Sequence, residues 1–261
     1  TPRLLLMSRS NRFPHGLANA SGMVGRHLMF NCGAFAGGLF PGAINGYRGV
    51  AATRVIQDVY ELDPKLGLHG GGGFDFRWDP QPIGFALWGL AEHSPRWGPE
   101  FKRMVTEYFN HSCYVLAHST SLPVPTNSVS LDPTLKDAWG LPATRVTFTI
   151  HPNDQRLSEY LTEQCFRLLE AAGATDRWAF PPGPGAFPQV HLLGTCRMGN
   201  DPATSVVDRD HRTHEVPNLF LVDGSSFVTS GRGQPTMTIQ ALAFRAADRM
   251  MALAKRGDLG L

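Results

Sequence analysis

His191, Asp223, Gly224, Ser225, Gln234, Pro235 and Thr236 are the residues of this chain whose types and spacing carry chemistry. An imidazole exchanges its proton near neutral pH, which suits His191 to take a proton from a substrate. It heads the run His-Leu-Leu-Gly-Thr-Cys-Arg-Met-Gly, 191–199, in which Gly194 and Gly199 permit backbone shapes that other residues resist, so it reads as the edge of an element facing a cavity. Residues 218–222, Asn-Leu-Phe-Leu-Val, read as a buried strand that ends in a turn at Asp223, Gly224, Ser225 and Ser226. Beyond Gly231 and Gly233, the spacing of Met237, Ile239, Ala241, Leu242, Ala246 and Met250 predicts a helix with Pro235 in its first turn. The start of such a helix carries about half a positive charge and unpaired N–H groups, so it receives an anion or an electron-rich ring edge. His211 and His214 have metal-pair spacing but no third ligand near them, and His93 and His118 read as structural histidines before substrate-facing ones.

The elements that must position these residues mix helix and strand. Short β-like pieces at 115–118 and 144–150 alternate with turn formers, and 97–109 has helical spacing, which predicts an antiparallel sheet with helices on one face. A helix is expected over 154–172, with Leu157, Leu161, Phe166, Leu168 and Leu169 on its apolar side and Gly173 as its stop. The glycine-rich, aromatic stretch 32–47 reads as a loop on the route to the site, and the prolines of 180–185 as a stiff connector. Aromatic residues such as Trp88, Trp97, Trp139 and Phe74 have the types to stack on a sugar ring or an aryl alcohol, although core packing is the commoner use.

The ordered series H-x-x-G-T-C-R-M-G, N-L-F-L-V-D-G-S and P-T-M-T-I-Q-A-L-A, about sixty residues long, resembles the C-terminal signature of the glucose-methanol-choline (GMC) oxidoreductases, flavoenzymes that oxidise alcohols. Residues 1–8 are similar to that family's second signature. Gly22, Gly25 and Arg26 follow its G-x-V-G-R-N-L-M phrase, with His27 in the usual Asn place. The resemblance implies an α/β (α+β) chain in three parts. Residues 1–31 would be the remainder of a first FAD-binding portion, 32–188 an antiparallel-sheet substrate domain, and 189–261 the C-terminal part of a Rossmann-like FAD-binding portion. It further implies FAD as cofactor, His191 as general base, Asp223, Gly224 and Ser225 against the cofactor, and Pro235 and Thr236 near its ring system. Where the family has His or Asn, this chain has Gln234, which forms hydrogen bonds but is no base at neutral pH. The implied activity is oxidation of a CH–OH group of a sugar, polyol, aryl or alkyl alcohol, with hydride passing to flavin N5.

Composition sets further limits. With 24 basic and 22 acidic residues the net charge is +2, which leaves no electrostatic footprint for nucleic acid or an anionic membrane. No apolar run approaches the ~18 residues of a membrane span and no secretory signal order opens the chain, so the expectation is a soluble protein, cytoplasmic before periplasmic or secreted. Cys32, Cys113, Cys165 and Cys196 are widely spaced and read as free thiols, Cys196 as a packed residue. No G-x-G-x-x-G lies between a strand and a helix; the glycines of 70–73 lack those flanks. The chain alone is therefore expected not to hold FAD tightly. The expected partners are a small alcohol and a companion polypeptide carrying the N-terminal FAD-binding half, this chain being a separate subunit or nicked product before a partial sequence. A companion would bury far more than a standard ~1,600 Å² interface, because one domain is divided across it. The alternative from another class is a non-catalytic scaffold or regulatory subunit; a hydrolase reading lacks a G-x-S-x-G elbow.

Overall fold

The computed structural model describes residues 1–31, 33–50, 52–77, 81–180 and 190–259, with Thr53 described by its backbone alone. In chain order the main elements are α1 (Pro2–Met7), β1 (Ala34–Leu39), β2 (Ala52–Ile56), β3 (Gly72–Arg77), α2 (Pro82–Gly84, running on as a π-turn over Phe85–Gly89), α3 (Gly98–Tyr108), β4 (Ser112–Ser119), β5 (Ser128–Lys136), β6 (Pro142–Thr147), α4 (Pro152–Ala171), β7 (Asp176–Phe180) and α5 (Thr236–Arg256). They form two compact units, one of Thr1–Asn31, Ser121–His151 and Val190–Leu261, the other of Cys32–Thr120 and Pro152–Gln189. Residues 121–151, read from sequence together with 32–188, group with the chain's two ends. Cys32 and the proline connector at 181–185 lie outside the described residues.

The second unit is an antiparallel sheet in the order β2-β3-β4-β1-β7. Side chains alternate across a pleated strand, so β1, β3 and β4 each offer two faces. Ala34, Ala36, Phe74, Val115 and Ala117 meet Leu157, Leu161, Cys165 and Leu169 of α4, where 3.6-residue spacing brings the leucines to one side. Burying each such leucine contributes roughly 1.5–3 kcal/mol. Gly173 ends the helical segment at φ 93°. Helices on one face alone were expected, and the structure corrects this. Phe35, Tyr114, Leu116 and Trp178 point to the other face and are met by Phe101, Met104, Val105 and Tyr108 of α3. The loop expected over 32–47 is likewise corrected, since its core is β1, flanked by β4 and β7. Its glycines serve packing: a Cβ on Gly37 would lie 2.5 Å from the Trp178 ring, and one on Gly38 2.9 Å from Leu169.

His118 has a structural partner within this second unit. Its Nε2 lies 3.4 Å from Asp75 Oδ2, and Arg77 donates to the same carboxylate from Nε at 2.6 Å and Nη2 at 2.9 Å. Burial of Asp75 raises its pKa, but hydrogen bonds from His118 and Arg77 outweigh that and hold it at about 2, against an ordinary 3.8. A carboxyl depressed on folding stabilises above its unfolded pKa, and the contribution is lost as pH falls towards the folded one. Between about pH 4 and pH 2 the wild type is therefore expected to lose roughly 2 kcal/mol more unfolding free energy than Asp75→Asn. Parallel pH profiles in urea unfolding would refute this account of the triad.

The first unit is held by less regular structure. β5 and β6 form a two-stranded antiparallel ribbon, and α1 packs beside β5. Leu5, Ala18, Val24, Cys196, Val206, Val207 and Leu221 form its core. The strand expected at 218–222 is corrected to irregular backbone that leaves a turn at Asn218 and holds an isolated bridge between Phe220 and Arg212; only Leu221 is buried and Val222 faces solvent. The expected turn follows as a single 3-10 turn at Gly224–Ser226. α5 forms where the apolar spacing put it, with Pro235 as its N-cap residue. No helix among the described residues is long and apolar enough to cross a membrane.

Candidate active site

The site is built in the first unit on one strip of irregular backbone, residues 190–198. On one side the strip bonds to 29–31: Asn31 N donates to Val190 O at 3.0 Å, while Met29 and Leu193 exchange bonds of 3.0 and 3.1 Å. On the other side Gly194 N donates to Gly224 O at 3.2 Å, Cys196 N to Ser225 O at 2.7 Å and Met198 N to Ser226 O at 2.8 Å. The two glycines at the crossing make the close approach possible. A Cβ on Gly224 would stand 2.6 Å from Leu193 Cδ2, and one on Gly194 2.4 Å from the His27 carbonyl oxygen, where φ is 87°.

His191 lies in this strip, half-buried, with its Nδ1 shielded from solvent. Its backbone is left-handed at φ 62°, a region that costs a non-glycine residue about 1 kcal/mol or more and persists only where surrounding bonds impose it. The ties of Asn31 and Met29 on either side of His191 supply that constraint. Beside the strip is a cleft of ≈ 300 Å³ lined by Thr1, Pro2, Leu28, Val129, Leu192, Thr195, Asp223, Gly224 and Ser225. Of the residues singled out from sequence, Asp223, Gly224 and Ser225 line it; His191, Gln234, Pro235 and Thr236 are not among its walls. Leu192, the neighbour of His191, does line it.

Asp223 caps the 3-10 turn, accepting from Ser225 N at 2.8 Å. Burial raises its pKa, but hydrogen bonds from Ser225 and Thr1 outweigh this and hold the carboxyl below its usual range. An ionised carboxylate at a cleft accepts from hydroxyl groups and repels phosphate. With small Gly224 and Ser225 beside it, this acceptor suits a hydroxyl-bearing part of the FAD that the sequence resemblance implies. The volume sits at the low end for small-molecule sites, room for a portion of a dinucleotide. Burial pushes the neighbouring Cys196 thiol up to about 12, which disfavours a redox thiolate there.

Gln234 is exposed, Pro235 buried and Thr236 exposed, at the mouth of α5. The residue that sequence reasoning missed is Asn31, 6% exposed, whose Nδ2 donates to Gly233 O at 3.1 Å. Its one sequence signal is an amide that follows the apolar residues Leu28, Met29 and Phe30. One ring nitrogen of each of His211 and His214 is engaged by protein atoms: His211 Nδ1 lies 2.8 Å from Leu221 O, and His214 Nε2 lies 2.9 Å from Ser205 Oγ and 3.2 Å from Gly199 O. Among the described residues no three His, Cys, Asp or Glu side chains are grouped to hold a metal. His93 is exposed.

Residues 123–243 match a family model described as GMC oxidoreductase. The chain is 40% identical over 256 residues to 2-methyl-1,2-propanediol dehydrogenase of Mycolicibacterium austroafricanum, covering 95% of this chain and 45% of that protein. It is 35% identical to paromamine 6'-oxidase of Streptomyces fradiae, covering 98% and 43%, and 29% identical to the fructose dehydrogenase large subunit of Gluconobacter japonicus, covering 98% and 46%. The chain thus spans a little under half the length of these relatives. Its fold is similar to formate oxidase of Aspergillus oryzae RIB40, a structure described in terms of FAD modification, with a TM-score of 0.59 at 16% identity, covering 99% of this chain and 53% of that one.

Proposed function

The chain belongs to the GMC oxidoreductases, and from that premise we propose that it is the catalytic C-terminal part of an FAD-dependent alcohol oxidoreductase. The observation that carries the reading is that the strip holding His191 is bonded directly to the wall of the Asp223–Gly224–Ser225 cleft. One rigid piece of backbone then sets both the base and the cofactor's edge. Asp223, Gly224, Ser225, Pro235 and Thr236 would hold FAD together with groups outside this chain, and the bound flavin supplies the hydride acceptor. His191 does the protein's share of the chemistry. Its imidazole takes the proton from the alcohol oxygen as hydride leaves the carbon bearing that oxygen, so that the O–H and C–H pairs become a carbonyl and not a charged alcohol. Gln234 orients the alcohol oxygen by hydrogen bonding.

The substrate we propose is a small diol, sugar or related alcohol, the classes named by the three relatives. A companion half bearing the nucleotide-binding glycines belongs to the same reading. Support for it comes from α5, whose outward residues Met237, Phe244 and Met251 repeat every seventh position and are 74%, 76% and 59% exposed, while Ala246 is buried on the inner side. A helix apolar on opposite sides is one that neighbours cover.

The test is anaerobic addition of a panel of diols, hexoses and aryl alcohols to the flavin-loaded protein. At least one member is expected to bleach the oxidised flavin spectrum. A flavin that stays oxidised against the whole panel would favour the non-catalytic subunit. In the same assay Gln234→Ala is expected to slow reduction by roughly five- to tenfold, the worth of one hydrogen bond. A loss as deep as that of His191→Ala would move Gln234 from orientation to the proton transfer itself.

A further inference from the structure

We propose that Asn31 is a positioning residue that holds His191 and Gln234 in register, an inference that rests on the catalytic reading above. Asn31 lies in the buried run 27–31. Its backbone N–H donates to Val190 O at 3.0 Å and its side-chain Nδ2 to Gly233 O at 3.1 Å. Val190 and Gly233 immediately precede His191 and Gln234. Because a peptide unit is planar, anchoring the Val190 carbonyl fixes the plane that delivers the His191 nitrogen, and anchoring the Gly233 carbonyl does the same for Gln234. A single buried residue therefore sets the approach of both segments.

The local backbone needs such a clamp. His191 sits at φ 62°, where the conformation persists only if its surroundings determine it. On the other branch Gly231 sits at φ 70°, and at both Gly231 and Gly233 there is room for a Cβ. Glycines with room at the Cβ position restrain a turn little, so the bond from Asn31 Nδ2 adds order at the Gly233 carbonyl. The amide is suited to this: it carries two donors, whereas an ionised aspartate of the same shape carries none.

The test uses the flavin-loaded protein with Asn31→Leu and Asn31→Asp, both close to asparagine in size and both without the N–H donor. Each is expected to lower kcat per bound flavin by roughly three- to tenfold, no more than the loss of Gln234 itself, with KM within about threefold and flavin content unchanged. In a Gln234→Ala background the additional loss should shrink to under about twofold, because the side-chain bond acts on the Gly233–Gln234 segment while the backbone bond to Val190 survives both substitutions. Unchanged kcat per flavin, or a full loss in the Gln234→Ala background as well, would overturn the positioning role. If Asn31→Leu fails to fold, Asn31→Asp decides the matter by the same readouts. Should His191→Ala itself leave turnover intact, the catalytic reading has failed; full turnover in the Asn31 variants beside an inactive His191→Ala removes the positioning role alone.

Discussion

His191→Ala is expected to lower alcohol-driven flavin reduction by roughly 10²–10⁴-fold while FAD remains bound, the usual worth of a positioned general base. The cofactor should stay because Asp223, Gly224, Ser225 and Thr195, and not His191, line the cleft. Alanine also removes a residue from a left-handed backbone position, so a loss of rate alone would mix chemistry with strain. His191→Asn separates them. Asparagine adopts the left-handed region more readily than most residues and still forms hydrogen bonds, yet takes no proton near neutral pH. Both variants are expected to lose the reaction to a similar depth. A His191→Asn protein with near wild-type reduction kinetics would show that the imidazole is not the base.

The second large effect is structural. Gly194→Val is expected to cost roughly 3–5 kcal/mol of unfolding free energy and to release FAD. At φ 87° its Cβ would fall 2.4 Å from the His27 carbonyl oxygen and 2.7 Å from Met29 Cε, and the first of these is backbone that cannot swing aside. The bond from Gly194 N to Gly224 O would go with it, and that bond joins the strip to the cleft wall. Gly231→Ala is the control. Its φ is also positive, 70°, but nothing lies within 4 Å of the added carbon, so only the conformational cost of about 1 kcal/mol remains. Equal losses in the two variants, read by urea unfolding, would mean that close approach at Gly194 is not what the H-x-x-G spacing provides.

How far the sequence reached follows from which forces act locally. α4 and α5 were legible because a 3.6-residue apolar period acts along the chain and needs no knowledge of the partner. β1 was not. Its glycines read as loop residues, and only the Trp178 ring and Leu169, supplied by distant segments, turn them into a strand that demands small side chains. The segment 218–222 misled in the opposite sense: its apolar run satisfies one buried position, Leu221, and an isolated bridge, without a neighbouring strand to pair with. Face assignment in the sheet had the same weakness, because the aromatic side that α3 covers becomes visible only once β1, β4 and β7 are in register.

At the candidate site the motifs located His191, Asp223, Gly224, Ser225, Gln234, Pro235 and Thr236 along the chain. The structure adds the bonds from 29–31 and 224–226 that make one framework of these segments. Asn31 escaped notice because a buried amide announces itself by its partners, here the carbonyls of Val190 and Gly233, and those are far from it in sequence. The Asp75–Arg77–His118 triad is similar: Asp75 and Arg77 are two apart on one strand, but His118 joins them through cross-strand register.

The most direct test is a denaturing intact-mass spectrum of native material, scanning together for polypeptides and released small molecules. The expected result is FAD together with a G-x-G-x-x-G segment, carried either by a second polypeptide or by a longer one that contains this sequence. This chain as the sole polypeptide, with no flavin released, would contradict the assignment of an FAD-dependent alcohol oxidoreductase and leave the non-catalytic subunit in its place.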